Sequence, residues 1–257
     1  MKRIVNSLIV AVALFFIVSC SKDSSNSNED GLNKTPNLKP TGASANDFLS
    51  DSKHQSLLIE VNYVEGLNPN AQSLLNLKQF LQNRLNKSGG ITIIQRQISS
   101  QSGSPFTTDA ISGIENMVRT EYNEPGILKL HILFINGNYF KDTSTGRVLG
   151  VAYKNTSCVI FENSLQDLSN SVNEPNRIDL ETTVLSHEIC HLLGLVNLGS
   201  PMQNNHLDST HDKHCNNTNC LMYWEIENDS VVNMMVGGNV PQLDANCIAD
   251  LQNNGGK

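Results

Sequence analysis

The sequence predicts an α/β (α+β) fold built on a mixed, twisted five-stranded sheet, and three observations predict it. Extended apolar segments alternate with amphipathic helical ones up to residue 161, the order that lays helices against a largely parallel sheet. One segment, Ile127-Leu128-Lys129-Leu130-His131-Ile132-Leu133-Phe134-Ile135, is apolar enough to occupy the centre of such a sheet. Two short apolar runs joined through Lys154-Asn155-Thr156 then read as an edge hairpin.

Each element has its own justification. Residues 56–64 begin as a continuous apolar run and then alternate, as a partly buried strand does. Leu67-Asn68-Pro69-Asn70 is a turn and helix-start signal, after which Leu74, Leu75, Leu77, Phe80, Leu81 and Leu85 recur at three and four. That helix stops near Ser88-Gly89-Gly90, and residues 91–98 form a second strand. Thr108-Asp109 caps a helix with Ile111, Ile114, Met117 and Val118 on one side. His131, inside the central strand, reads as a packed residue rather than a ligand. Asn136-Gly137-Asn138 ends that strand, and residues 148–153 and 157–161 supply the hairpin. Glu174-Pro175-Asn176-Arg177 precedes a helix carrying Ile178, Leu185, Ile189 and Leu192, with Gly194 placed to end it in a left-handed turn. A last helix runs through Ala245, Ile248 and Leu251 and packs behind that one, and residues 253–257 are expected to fray.

The start of the chain has a different character. Met1-Lys2-Arg3 is basic, residues 4–18 are mostly apolar, and the run closes on Ile17-Val18-Ser19-Cys20. Its length and position suit an export signal over residues 1–19 better than a membrane span. The end resembles a bacterial lipobox, which implies a lipid on Cys20 and anchoring to a bacterial membrane, at the periplasmic or cell-surface face of the outer membrane. Residues 20–55, rich in Ser, Asn and Asp and broken by Pro36 and Pro40, read as a flexible tether. Residues 56–257 remain for one domain, with an N-terminal part at 56–194 and a C-terminal part at 195–257. Losing Lys2 and Arg3 with the signal takes the net charge from −7 to −9. Such an acidic protein is a poor partner for nucleic acid or for an anionic membrane surface, and a monomer is expected. Of six cysteines, five remain for the domain; in an exported protein Cys215 and Cys220 are the expected disulfide pair, and the odd count leaves a thiol over.

Chemistry concentrates in Ser186-His187-Glu188-Ile189-Cys190-His191-Leu192-Leu193-Gly194-Leu195-Val196-Asn197. On a helix His187 and His191 stand one turn apart, so both imidazoles reach a single ion, with Glu188 beside it. Neutral imidazoles suit Zn²⁺, whose bound water falls in pKa to about 7 and gives up its proton to a neighbouring carboxylate. Glu188 is therefore the catalytic base, then acid. Cys190 lies on another face of the helix and reads as a buried structural thiol. A third ligand is needed, and His206, His211 and His214 all follow within one loop.

With Met222 downstream, the pattern resembles the metzincin metallopeptidases, which run His-Glu-x-x-His-x-x-Gly-x-x-His/Asp and then a methionine turn below the metal. His187, Glu188, His191, Gly194 and Met222 match in register. His214-Cys215, Cys220 and Met222 are similar in spacing to the archaemetzincin branch. The resemblance implies a metzincin-like fold: the five-stranded sheet with two backing helices, an active-site helix, and a small irregular C-terminal part with Met-turn and terminal helix. It also implies a zinc-dependent endopeptidase, with peptide or protein as substrate lying along the edge strand at residues 148–153.

The departure is Asn197, which stands where the family places its third ligand. A neutral carboxamide is a poor zinc ligand. Either residues 197–213 are an insertion and His214 completes the set with His187 and His191, or His206 does; Asn197 and His211 stay open as lesser alternatives. His214 is the assignment adopted. The branch also closes a four-cysteine zinc site through a Cys-x-x-Cys pair that is missing here, since only Cys247 follows Cys220. Tyr223 is the residue next to the methionine and reads as packing more than as a site residue. Two other functions stay in view: a zinc hydrolase acting on a bond other than a peptide, and a surface binding or adhesion module with an impaired metal site.

Overall fold

The structure, a computed structural model, describes residues 32–257 apart from 145, 170 and 173. The export signal, Cys20 and the first part of the proposed tether lie outside the described residues. A 3₁₀ turn at Thr35–Asn37 and the short α1 (Ala45–Leu49) lead into β1 (His54–Val64). Then come α2 (Ala71–Gln82), β2 (Gly90–Ile98), α3 (Thr108–Val118) and β3 (Gly126–Ile135). The hairpin is β4 (Gly150–Lys154) with β5 (Ser157–Phe161), followed by α4 (Glu162–Asp167) and α5 (Arg177–Leu192). Past a mostly irregular stretch, the chain ends with α6 (Val231–Met234) and α7 (Ala245–Asn253).

The sheet order is β2-β1-β3-β5-β4, so the most apolar strand is central and β4 is an edge. β1 pairs parallel with β2 and β3, and β3 with β5, while β4 alone runs antiparallel. Side chains alternate across β3 as the pleat requires. Leu128, Leu130, Ile132 and Phe134 join Leu74, Leu77 and Leu81 of α2 and Leu185 and Ile189 of α5 in one core. Leu133 and Ile135 face the other way, against Ile111 and Ile114 of α3. The helices therefore lie on opposite faces of the sheet, α2 with α5 on one and α3 on the other. Among the described residues no helix is long and apolar enough to cross a membrane.

Three details depart from the sequence reading. Residues 33–55 are not a loose tether: Phe48 and Leu49 are fully buried, and the Asn155 amide donates to the carbonyl of Pro36 and the hydroxyl of Ser44. Two buried apolar side chains and a set of long-range hydrogen bonds outweigh a polar composition that by itself argues for solvation. The start of α3 is capped by Thr107, one residue earlier than the sequence suggests, and its Met117 is 75% exposed beyond the end of the apolar stripe. The tail is pinned, not frayed, because Gly256 N–H donates to Leu251 O and Lys257 N–H to Arg84 O.

His131 is wholly buried with Nε2 2.8 Å from Asn62 Oδ1, as expected of a packed residue. Burial, with the positive charge of Arg119 next, holds its pKa down to about 3.

Candidate metal centre

Helix α5 presents the first half of the site. Its N-terminus is capped by Asn176, whose side chain accepts the Ile178 N–H, and every residue from Thr183 to Leu192 is buried. It ends in a Schellman turn: Leu195 N–H bonds back to Cys190 O and Gly194 N–H to His191 O. Gly194 carries φ +77°, and a Cβ there would lie 2.7 Å from Ala45 Cβ and 2.6 Å from Ser200 N. Glycine is required at that position, and α1 packs on the turn because of it.

The chain then turns away, leaving Asn197 exposed with φ 68°. Residues 198–213 loop out before His214 returns to the helix. His187 Nε2 and His191 Nε2 are 3.1 Å apart. The His214 ring stacks on His187 at 5.4 Å between centroids and meets His191 edge-on at 5.1 Å. Each of two imidazoles is oriented through its far nitrogen by a main-chain carbonyl, His187 Nδ1 by Leu221 O (2.6 Å) and His214 Nδ1 by Asp212 O (3.0 Å). That leaves their Nε2 atoms turned toward a common point. Met222 is fully buried, and its carbonyl accepts the Cys215 N–H at 2.7 Å.

A fourth group was not visible in the sequence. Glu227, at the end of a 3₁₀ turn (Trp224–Glu227), points Oε1 at all three rings: 3.0 Å from His191 Nε2, 3.2 Å from His214 Nε2 and 3.7 Å from His187 Nε2. His187, His191, His214 and Glu227 together can hold a metal ion. The fit is chemical as well as geometric. His214 Nε2 is a buried atom with no hydrogen-bond partner, and three converging ring nitrogens are better satisfied by one cation than by one another. Burial opposes charge on Glu227, but the surrounding imidazoles prevail and hold its carboxyl well below the ordinary range.

Glu188 lies alongside the donor set, wholly buried, and neither of its oxygens has a sound hydrogen-bond partner. Burial first, and the charge of Glu227 second, push its pKa well up, against a weak opposing pull from the Ala152 amide. Its neighbour is Gly150 at the start of β4, where a Cβ would stand 2.7 Å from Glu188 Cγ and 2.8 Å from Oε1. Edge strand and carboxylate can approach only because that residue is glycine. Outside them opens a cleft of about 350 Å³, lined among others by Gly150, Ala152, His191, His214, Glu227 and Tyr139. Tyr223 is not among its lining residues.

His206 and the cysteines form a second cluster. Cys215, Cys220 and Cys247 are all free and buried, so the expected Cys215–Cys220 disulfide is absent. Two of the sulfurs approach His206 instead, with Nδ1 3.3 Å from Cys215 Sγ and 3.9 Å from Cys247 Sγ, and Cys220 Sγ lies 3.6 Å from Cys247 Sγ. Asp250 Oδ2, 2.8 Å away, holds His206 by its other nitrogen. His206, Cys215, Cys247 and the adjacent Asp244 can hold a metal ion, with Cys220 at hand. Thiols and an imidazole are donor types of a structural zinc site. His206, from the loop ahead of His214, is the residue that joins these cysteines.

Among the other loop residues, His211 stacks flat on Trp224 at 4.1 Å and bonds Asp208, away from either cluster. Glu227 had no distinguishing signal, since Glu225 two residues earlier looks the same in sequence. The Cys247-x-x-Asp250 spacing on one helix face was a usable hint for the second cluster.

No family model matches the chain, and no curated protein does. Among solved structures, archaemetzincin from Methanopyrus kandleri is similar with a TM-score of 0.51 and 14% identity, covering 78% of this chain and 96% of that one. Metalloproteinase-II from Bacteroides fragilis is similar over 86% of this chain and 57% of its own length, with a TM-score of 0.43 and 16% identity. The chain shares its fold with archaemetzincin.

Proposed function

We propose that the protein is a zinc-dependent endopeptidase in which His187, His191 and His214 hold the metal and Glu188 serves as base and then acid. The observation that carries the proposal is a buried carboxylate without hydrogen bonds, Glu188, set between three converging imidazoles and the edge strand of a sheet. Zinc, when bound, polarises a carbonyl and acidifies a water molecule. The chain supplies the rest. An extended peptide can pair with the outer edge of β4 by displacing the Thr41 hydroxyl from the Ala152 carbonyl, while β5 satisfies the strand's other side. Glu188, kept basic by burial, accepts a proton from the attacking water and passes it to the leaving amine. The walls at Gly150 and His191 limit the water around it.

The second cluster, in this reading, holds a structural ion that ties the loop after α5 to α7. The start of the chain supports a lipid on Cys20, so the catalytic domain would act at a membrane surface as a monomer on peptide or protein. No observation favours an adhesion module, whose premise was a site left with two ligands by Asn197. Incubation of zinc-loaded protein with a peptide library and, in parallel, with simple ester and amide substrates tests the proposal. Internal cleavage of peptides is expected; turnover of esters alone, or of nothing, would overturn it.

A further inference from the structure

Resting on the zinc-peptidase reading, we propose that Glu227 is a fourth protein ligand that holds the metal centre closed, a carboxylate gate that has to swing aside before water or a substrate carbonyl can enter. A four-coordinate zinc with bonds of 2.0–2.1 Å has its donor atoms about 3.3 Å apart along the tetrahedron's edges. Here Glu227 Oε1 lies 3.0, 3.2 and 3.7 Å from the Nε2 atoms of His191, His214 and His187, and the His187 and His191 Nε2 atoms are 3.1 Å apart. Glu227 thus occupies a corner of the ligand set, at ligand distance, and is no mere neighbour of it. Catalytic zinc centres leave that corner open, whereas centres with four protein ligands are closed and inert. This one is closed in the conformation described.

The means of opening is also present. Glu227 Oε1 reaches the rings from the cleft side, and the side chain is 34% exposed. Its main chain is fixed: Glu227 O accepts the Leu149 N–H at 2.8 Å, and Asn228 bridges to Val148 just ahead of β4. Movement therefore falls to the side-chain torsions, a rotamer change with no refolding of the turn. Because the same main chain adjoins the edge where a peptide would pair, an occupant of the cleft competes directly with the carboxylate for space. Glu188 cannot serve as the closing ligand. It is wholly buried behind Gly150 and is not part of the converging donor set.

The experiment uses the full chain loaded with Co²⁺ and acetohydroxamate as a small metal-seeking probe. Visible absorption reports the ligand set at the three histidines, while the thiolate cluster gives charge-transfer bands that the probe leaves unchanged. In Glu227→Gln, which keeps the side-chain shape, and in Glu227→Ala, the cobalt spectrum should shift before any probe is added. Probe affinity should rise at least about tenfold over the parent, the size of change expected when a competing ligand is removed. Peptide kcat/KM should rise with it. Cobalt held equally by parent and variants, with unchanged spectra and probe affinity, overturns the gate and leaves the peptidase reading standing. A parent chain that binds no cobalt at the histidines overturns both.

Discussion

His214 and Cys215 are adjacent in the chain, yet they serve two different clusters. His214 turns to the imidazoles of α5 beside an open cleft, while Cys215 turns to His206, Cys220 and Cys247 in full burial. The first cluster has nitrogen and oxygen donors, a basic carboxylate at its flank and access for a ligand. The second has sulfur donors, all fully buried, and a histidine braced by a buried aspartate. Donor type and access together separate a centre suited to reaction from one suited to holding chain segments in place. A reactive centre needs one ligand that can give way, as the partly exposed Glu227 side chain can, and a structural one gains by having none.

Four measurements would break or sharpen that contrast. The largest effect belongs to the reactive side: Glu188→Gln should lower kcat by about 10²–10⁴-fold with metal content unchanged, as expected for loss of a general base. Parallel metal analysis and kinetics check it, and loss of metal along with activity would make Glu188 a structural residue. Next comes the closed side. Cys215→Ser should lower the melting temperature in excess zinc by on the order of 10 °C, because a tightly bound ion contributes about 4 kcal/mol at a thousandfold excess over its Kd. The histidine centre should still load. An unchanged melting temperature would mean that the sulfurs hold no ion. Asp250→Asn is a milder version, expected to weaken metal at that cluster by about 10–100-fold in a competition titration and to spare peptide cleavage. A drop in cleavage of similar size would show that the two clusters are not independent. The smallest effect is expected for Gly150→Ala. Its new methyl would meet Glu188 at 2.7–3.0 Å and should reduce kcat/KM by about tenfold without altering zinc content, since the base shifts by a few tenths of an ångström. Full activity in this variant would remove Glu188 from its assigned role.

Much of the architecture was legible because it follows from local pattern. The apolar run at residues 127–135 lies in the middle of the sheet, the hairpin stands at its edge, and Gly194 ends α5 with positive φ. His187 and His191 were readable for the same reason, since a helical repeat brings i and i+4 together whatever the rest of the chain does. Residues 33–55 were misread because polar composition reports the average of a segment. Phe48 and Leu49, two residues in it, decide its fate by being buried. The Cys215–Cys220 pairing failed on a similar ground. Closeness in sequence suggested a bond, but His206 and Cys247, 9 residues before and 32 residues after Cys215 by their numbers, compete for the same sulfurs.

What the sequence alone determined is the part of this protein that one helix turn can encode: two histidines, the glutamate between them, and the glycine that turns the chain away. The arrival of His214, the placing of Glu227 over the rings and the assembly of His206 with three cysteines were decided by tertiary structure. These groups come from loops and turns whose positions are set by packing against α5, β4 and α7. A loop has no periodicity from which the direction of a side chain can be read.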